Sequence, residues 1–309
     1  MARKRKGNPV HGWVVFDKPH GMSSSQAVGK VRWLLNAQKA GHGGTLDPLA
    51  TGILPIALGE ATKTVSFVMD GAKTYRCWIK FGESRTTDDA EGEIVEKSEK
   101  RPTSDEIQTV LPTFEGEIEQ IPPIYSAIKV DGQRAYKLAR SDQEVEMKPR
   151  QVTIDAIRFV DMPEPDLAII DVDCQKGTYI RSLARDIAVK LGTVGYVADL
   201  RRTKVGKFAE NLAISLDSLE AMGHSARLEE AVLPLVTALD DIPALAVTED
   251  LAKKVRHGNA IEAQPILSST DRDVQDGDTV VLMDEDVPLA LARIENGLIR
   301  PVRVLNIKT

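Results

Sequence analysis

The chain has 309 residues, 42% of them hydrophobic and 28% charged, with a formal net charge of −6. That length exceeds the need of most single cores and suits one large domain with a smaller companion. No stretch approaches the roughly 20 apolar residues of a membrane helix, and no signal-type apolar run follows the basic start Met1 to Lys6, so a cytoplasmic chain without membrane contact is expected.

Residues 13–16 (Trp13, Val14, Val15, Phe16) read as a short buried strand, which Pro19 and Gly21 then interrupt. Ser23, Ser24 and Ser25 offer N-caps for a helix to about Asn36, with Val28, Val31 and Leu35 at helical spacing. Gly41, Gly43 and Gly44 predict a flexible loop after it. Thr74 to Phe81 alternates as a strand does, and the acidic stretch 83–101 predicts a loop or an edge hairpin. A helix is expected near Ser104 to Leu111. Two strands, Val152 to Phe159 and Leu167 to Cys174, flank a Pro-containing turn at 162–166. Residues 178–191 form the cleanest amphipathic helix, with Ile180, Leu183, Ile187 and Leu191 on one face and Gly192 closing it. Strands and helices mix without regular βαβ alternation, so the class is α+β.

Near Pro243 the texture changes. A short helix (Glu249 to Arg256) precedes three strand-like runs at 278–283, 289–294 and 299–305. Asn296-Gly297 is a hairpin signal between the last two. The division expected is 1–240 and 243–309, the second a small, mostly β module.

Charge is unevenly spread. Residues 1–40 hold eight Lys or Arg against the single acid Asp17, and 174–208 hold eight against Asp186 and Asp199. Residues 82–120 hold twelve acids against four bases. Two basic segments can form a nucleic-acid footprint, or simply solvated surfaces that never meet. Cys77 and Cys174 form no CxxC pair and sit in no Cys/His cluster, so no zinc site is expected and both read as buried, reduced thiols.

The densest chemistry lies in Gly41-His42-Gly43-Gly44-Thr45-Leu46-Asp47-Pro48-Leu49-Ala50-Thr51-Gly52. Glycines let a backbone approach a ligand, and Pro48 pushes Asp47 toward extended geometry. A lone Asp in such a loop is also a common turn residue. His42 fits an acid, a base, a phosphate contact or a structural histidine equally. No Walker loop, dinucleotide fingerprint or GxSxG is present. Arg181 follows Lys176-Gly177-Thr178-Tyr179-Ile180 in the first turn of the amphipathic helix, where the helix dipole disfavours a cation. That placement suggests a carboxylate partner, although a surface arginine is the simpler account. Tyr75 on its strand is either core or a base-stacking group. Taken alone these residues name no reaction.

Their order does carry a resemblance. Asp17-Lys18-Pro19 with Gly21-Met22-Ser23-Ser24, the Gly41–Gly52 run, Leu58-Gly59-Glu60-Ala61-Thr62-Lys63 and Lys73-Thr74-Tyr75-Arg76 resemble the TruB family of tRNA pseudouridine-55 synthases. The likeness continues at Gln120-Ile121-Pro122-Pro123 with Tyr125-Ser126-Ala127, Lys129, Gly132, Arg134 and Tyr136. It returns at Gly177-Thr178-Tyr179-Ile180-Arg181-Ser182-Leu183 and ends near Leu200-Arg201-Arg202-Thr203. Ordered motifs over about 190 residues are far more specific than any one of them.

The resemblance implies a pseudouridine synthase fold with a mixed central sheet, followed by a module similar to a PUA-like RNA-binding appendage. Asp47 matches the essential aspartate, Tyr75 the tyrosine that packs on the target base, and Arg181 the arginine that pairs with the aspartate. Lys18, Tyr179 and Leu200 match positions near the active site in contact with substrate, and His42 a histidine that contacts the flipped-out RNA. Thr86 stands where the family often has Asp, beside Thr87 and Asp89. The implied partner is the T arm of tRNA, with no DNA, no metal and no cofactor, and a monomer is expected. Two other readings need different features. A non-catalytic RNA binder or tRNA-folding chaperone would need the basic face without Asp47 or Tyr75. A hydrolase using Asp47 would need metal-binding carboxylates or a phosphate loop. A guide-RNA-dependent member of the family is less well matched than the stand-alone bacterial type.

Overall fold

The computed structural model describes residues 7–307 apart from 127, 131, 136–137, 139–145, 224–226, 269 and 271–272. The basic residues Arg3 to Lys6, and Ala127 and Tyr136 of the family motifs, lie outside the described residues.

The chain opens with β1 (Gly12–Lys18), whose Trp-Val-Val-Phe run is buried throughout. Ser23 then caps α1 (Ser24–Leu34) in a two-way capping box with Gln26, and Ala27, Val31 and Leu34 face the core. Next come β2 (Ala40–His42), β3 (Thr51–Leu58), α2 (Val65–Asp70) and β4 (Lys73–Phe81). The acidic stretch folds as the hairpin β5 (Glu83–Arg85) and β6 (Ile94–Lys97). It is followed by α3 (Ser104–Val110), β7 (Gly116–Gln120) and the short ladder β8 (Lys129–Val130) with β9 (Gln133–Arg134). Then come β10 (Arg150–Glu164), β11 (Leu167–Cys174), α4 (Ile180–Lys190) and β12 (Gly195–Val205). The short pieces β13 (Phe208–Ala209), β14 (Ile214–Ser215) and α5 (Leu216–Met222) complete this part.

Among the described residues ten strands join one mixed sheet in the order β14-β1-β3-β12-β4-β11-β10-β7, with β2 on β3 and β13 on β12. The β1–β14 and β3–β12 pairs are parallel and the others antiparallel. Helices α1, α3 and α4 pack on one face through Val31, Ile107, Leu183 and Ile187. This is an α+β fold.

Two local expectations are corrected. Gly41 and His42 do not lie in a loop; they pair with Ala57 and Ile56 of β3. Gly43 follows because a Cβ there would meet Val68 at 2.6 Å. The turn expected at 162–166 shrinks to residues 165–166, and β10 runs through Pro163. Only Arg150–Ile154 of β10 pair with β7, so Pro163 lies on an open edge and forfeits no ladder bond there.

The second sheet has the order β15-β17-β18-β19-β16, formed by β15 (Ala244–Ala246), β16 (Ile261–Glu262), β17 (Thr279–Asp284), β18 (Val287–Glu295) and β19 (Leu298–Val304). It is covered by α6 (Glu249–Arg256) through Ala252 and Val255. Asn296 and Gly297 both adopt positive φ in the hairpin turn between β18 and β19. Its other contacts reach the first sheet: Val281, Leu291 and Leu305 share a core with Trp13, Phe208 and Leu235. Lys63 donates to the Val304 carbonyl at 2.7 Å, and Asn306 N–H donates to Glu60 at 2.7 Å.

Candidate active site

Parallel pairing of β3 with β12, and antiparallel pairing of β12 with β4, decide what meets what. Arg202 stands across from Gly52 on one side and Tyr75 on the other. The loop that enters β3 carries Asp47. Asp47, Tyr75, Tyr179, Arg181, Leu200 and Arg202 thus come to line one cavity of about 310 Å³.

The loop around Asp47 is held by buried donors. Arg202, 1% exposed, donates to the carbonyls of Gly44 at 3.1 Å, Thr45 at 3.3 Å and Ile53 at 2.8 Å. Ser24 donates its hydroxyl to the Leu46 carbonyl and accepts the Leu46 N–H, at 2.9 and 2.8 Å. Lys18 donates to the carbonyls of Met22 at 2.7 Å, Pro19 at 3.0 Å and Pro48 at 3.3 Å. Each neighbour of Asp47 is therefore anchored, while the Asp47 side chain itself keeps 39% exposure. Such a loop holds a carboxylate in place before substrate arrives.

Arg181 supplies the charge partner that its position in α4 implied. Its guanidinium meets Asp47 at 3.0 Å and Asp89 at 3.2 Å, and donates to the carbonyls of Thr87 and Tyr125 at 3.0 Å each. Asp89 also accepts from the Thr87 hydroxyl and from the Glu91 N–H at 3.1 Å. The local carboxylates outweigh the unfavourable end of the helix dipole. Gln120, 1% exposed, fixes the start of α4 by donating to the Tyr179 carbonyl at 3.3 Å and accepting its N–H at 3.1 Å. Asp89, Gln120, Ser24 and Arg202 were not read as site residues from sequence. The only signals for them were the unusual place of Arg181 and the motifs that contain Gln120, Ser24 and Arg202.

Tyr75, on β4, and Tyr179, at the entry to α4, both line the cavity. Burial pushes both phenols up, and the Arg202 guanidinium beside Tyr75 pulls that one partly back. Leu200, two residues before Arg202, lines the cavity as well. Lys18 is fully buried, its ammonium engaged by three carbonyls, so it anchors the loop and presents no exposed charge to a ligand. Burial lowers it to about 8 against the pull of Asp47. His42 is not among the cavity-lining residues; its Nδ1 is buried without a hydrogen-bond partner, and burial followed by the charge of Arg202 disfavours its protonated form.

Several bases of the segment 174–208 are drawn into ion pairs, while Lys176, Lys190, Lys204 and Lys207 remain exposed. Lys176 pairs with Asp70, Arg185 with Asp88 and Asp186, Arg201 with Asp17 and Glu210, and Lys207 with Asp241. Arg181 and Arg202 are buried in the site. In 1–40, Lys30 pairs with Glu220. Cys77 and Cys174 are free and buried, on β4 and β11. Among the described residues no three His, Cys, Asp or Glu converge as metal ligands, and no helix is long and apolar enough to cross a membrane.

This architecture is that of pseudouridine-forming enzymes. A chain in the crystal structure of a Cbf5-Nop10-Gar1 complex matches it with a TM-score of 0.74 and 26% identity, over 96% of this chain and 85% of that one. A chain in a structure of an H/ACA RNP bound to a substrate RNA containing 2′-deoxyuridine has the same fold, with a TM-score of 0.73 at 23% identity, over 99% and 92%. Residues 32–180 match the N-terminal domain of the TruB family pseudouridylate synthases, and 181–240 the C-terminal domain of tRNA pseudouridylate synthase B. The tRNA pseudouridine synthase B of Caulobacter vibrioides is 52% identical over 99% of this chain and all of that protein, and that of Rhodospirillum rubrum 47% over 99% and all. The chain belongs to the TruB family of pseudouridylate synthases.

Proposed function

We propose that this enzyme converts uridine 55 in the T loop of tRNA into pseudouridine, with Asp47 as the carboxylate that acts at C1′. One observation carries the reading: an anchored, partly exposed Asp47 faces a nucleoside-sized cavity and shares Arg181 with the buried Asp89. Breaking the N1–C1′ bond builds positive charge on the ribose, as in glycoside hydrolysis. Asp47 stabilises that charge, attacks C1′, or removes a sugar proton. Asp89, held by Arg181, Thr87 and Glu91, acts by orienting Arg181.

Tyr75 stacks on the detached base, and Tyr179 and Leu200 bound the pocket into which the uridine is flipped. Unstacking a loop base costs roughly a few kcal/mol, which contacts to the tRNA backbone offset. The test is tritium release from C5-tritiated, unmodified tRNA transcript by wild type and Asp47→Asn, with a second transcript lacking the T-loop uridine. Release by wild type alone, and only with that uridine present, supports the reading. Tight binding without release would leave an RNA chaperone and reduce Asp47 to a turn residue.

A further inference from the structure

The cavity is lined by charges of both signs. Arg181 is shared by Asp47 and Asp89, so carboxylates outnumber the cation there. Two further cations, Arg202 and Lys73, are 1% and 8% exposed. Lys73 lies two residues before Tyr75 on β4, and Arg202 lies across from Tyr75 on β12, so all three share one face of the sheet. Both cations line the cavity. Arg202 bonds the carbonyls of Ile53, Thr45 and Gly44, and Lys73 those of Met69 and Gly71. Among the described residues neither makes an ion pair.

Two buried cations with neutral partners are expensive. Anchoring carbonyls does not demand that expense, because a neutral amide donates hydrogen bonds as well. The charge itself therefore calls for an anion that arrives only with substrate.

We propose that Arg202, with Lys73 beside it, is the counter-charge for the uracil as it leaves the ribose. This rests on the reaction proposed above. When the N1–C1′ bond breaks, its electron pair stays on N1. C1′ is taken either by a carboxylate oxygen of Asp47 or by a double bond to C2′ after Asp47 accepts the C2′ proton. By either route the base departs as a monoanion, its charge shared over N1, O2 and O4. C5 then forms the bond to C1′ as the Asp47 carboxylate leaves C1′ by the first route, or returns its proton to C2′ by the second. The C5 proton leaves and N1 takes one up, so Asp47 is regenerated, the product is an isomer and no oxidant or donor is consumed. In a site that excludes water, fixed charges stabilise such an anion strongly. Asp47 repels it, and Arg202, paired across the sheet with Tyr75, attracts it, which holds the loose base against Tyr75 while it turns.

A 5-fluoro substituent makes the departing anion more stable by itself. The experiment compares single-turnover consumption of uridine or 5-fluorouridine at the target position of tRNA, read by nuclease digestion and chromatography. 5-Fluorouridine has no C5 proton to lose, so its rearranged base keeps fluorine at C5 and adds water across C6 and N1. The enzymes are wild type, Arg202→Gln, Lys73→Gln and Ser24→Ala, each checked for native circular dichroism and for tRNA affinity. Each glutamine variant is expected to slow uridine by about 100-fold and 5-fluorouridine by about 10-fold or less, with affinity within about two-fold. Ser24→Ala, which loosens the Asp47 loop without changing charge, should slow both substrates alike. If one glutamine variant does not fold, the other decides. Equal slowing of both substrates by the folded glutamine variants, with wild type active, would overturn the counter-charge and leave loop anchoring alone. Wild type inactive on both would instead overturn the proposed reaction, and this role with it.

Discussion

A Cβ on Gly52 would lie 2.2 Å from the carbonyl oxygen of Arg202, so the parallel contact of β3 with β12 exists only because residue 52 has no side chain. Gly52 also holds φ at +94°, a region costly for other residues. Gly52→Ala is expected to lose about 3 kcal/mol or more in urea unfolding, the size of effect seen with strained backbone sites. A loss below about 1 kcal/mol, the ordinary glycine-to-alanine range, would mean that the two strands separate without penalty.

Asp89 is 2% exposed and holds Arg181 against Asp47. Asp89→Asn should lower turnover by about 100-fold through misplacement of Arg181 and Asp47, with tRNA affinity unchanged. Arg181→Ala should show the same split, with added instability from the unpaired Asp89. Filter binding beside tritium release measures both, and equal losses of affinity and turnover would refute the assignment.

Tyr75→Phe keeps the ring that would stack on the base and removes the hydroxyl beside Arg202. Binding should persist while conversion stalls after the glycosidic bond is broken. Rapid-quench analysis detects the stalled complex; wild-type turnover in this variant would remove the hydroxyl from the mechanism.

Lys18 gives a pH signature. Burial lowers it to about 8 from an ordinary 10.5. Between those values the unfolded chain holds a proton that the folded protein has released, so this group's contribution to stability rises with pH across that window. Below about 8 both states are protonated and the penalty of burying the charge is fully present. Wild type should therefore gain stability relative to Lys18→Met between about pH 7 and 9.5, measured by urea unfolding at both. A difference that does not change with pH would uncouple the Lys18 proton from folding.

Arg201 forks onto Asp17 with two contacts of 3.0 Å and reaches Glu210 at 2.6 Å. Arg201→Ala should cost about 1–2 kcal/mol of stability, as a bidentate pair does. The slope of log Kd against log salt for tRNA should stay the same. A slope shallower by about one would place Arg201 on a phosphate.

The readable elements were those whose instructions are local. The capping box at Ser23, the apolar stripe of α4 and the Asn296-Gly297 turn each act within a few residues. Strand β12 was opaque because Asp199, Arg201, Arg202 and Lys204 break its apolar alternation, and Arg202 and the Asp17 fork of Arg201 are satisfied by residues about 150 or more positions away. The same distance hid Asp89, whose partner Arg181 belongs to another element. Asp47, Tyr75 and Arg181 were visible through ordered family motifs, whereas composition and periodicity alone left each of them a plain structural reading. The count of basic residues could not say which of them a nucleic acid would meet, because most in 174–208 pair with acids from other segments.

The shared core of Trp13, Phe208 and Leu235 with Val281, Leu291 and Leu305 sets an order on synthesis. Strand β1 leaves the ribosome early, yet the cluster that holds Trp13 is complete only when residue 305 has emerged. A nascent chain that has completed every cavity-lining residue, through Arg202, still carries an unsealed apolar face. The enzyme's chemistry is therefore encoded well before its solubility, and a chain cut at residue 243 should aggregate with its active-site residues all present.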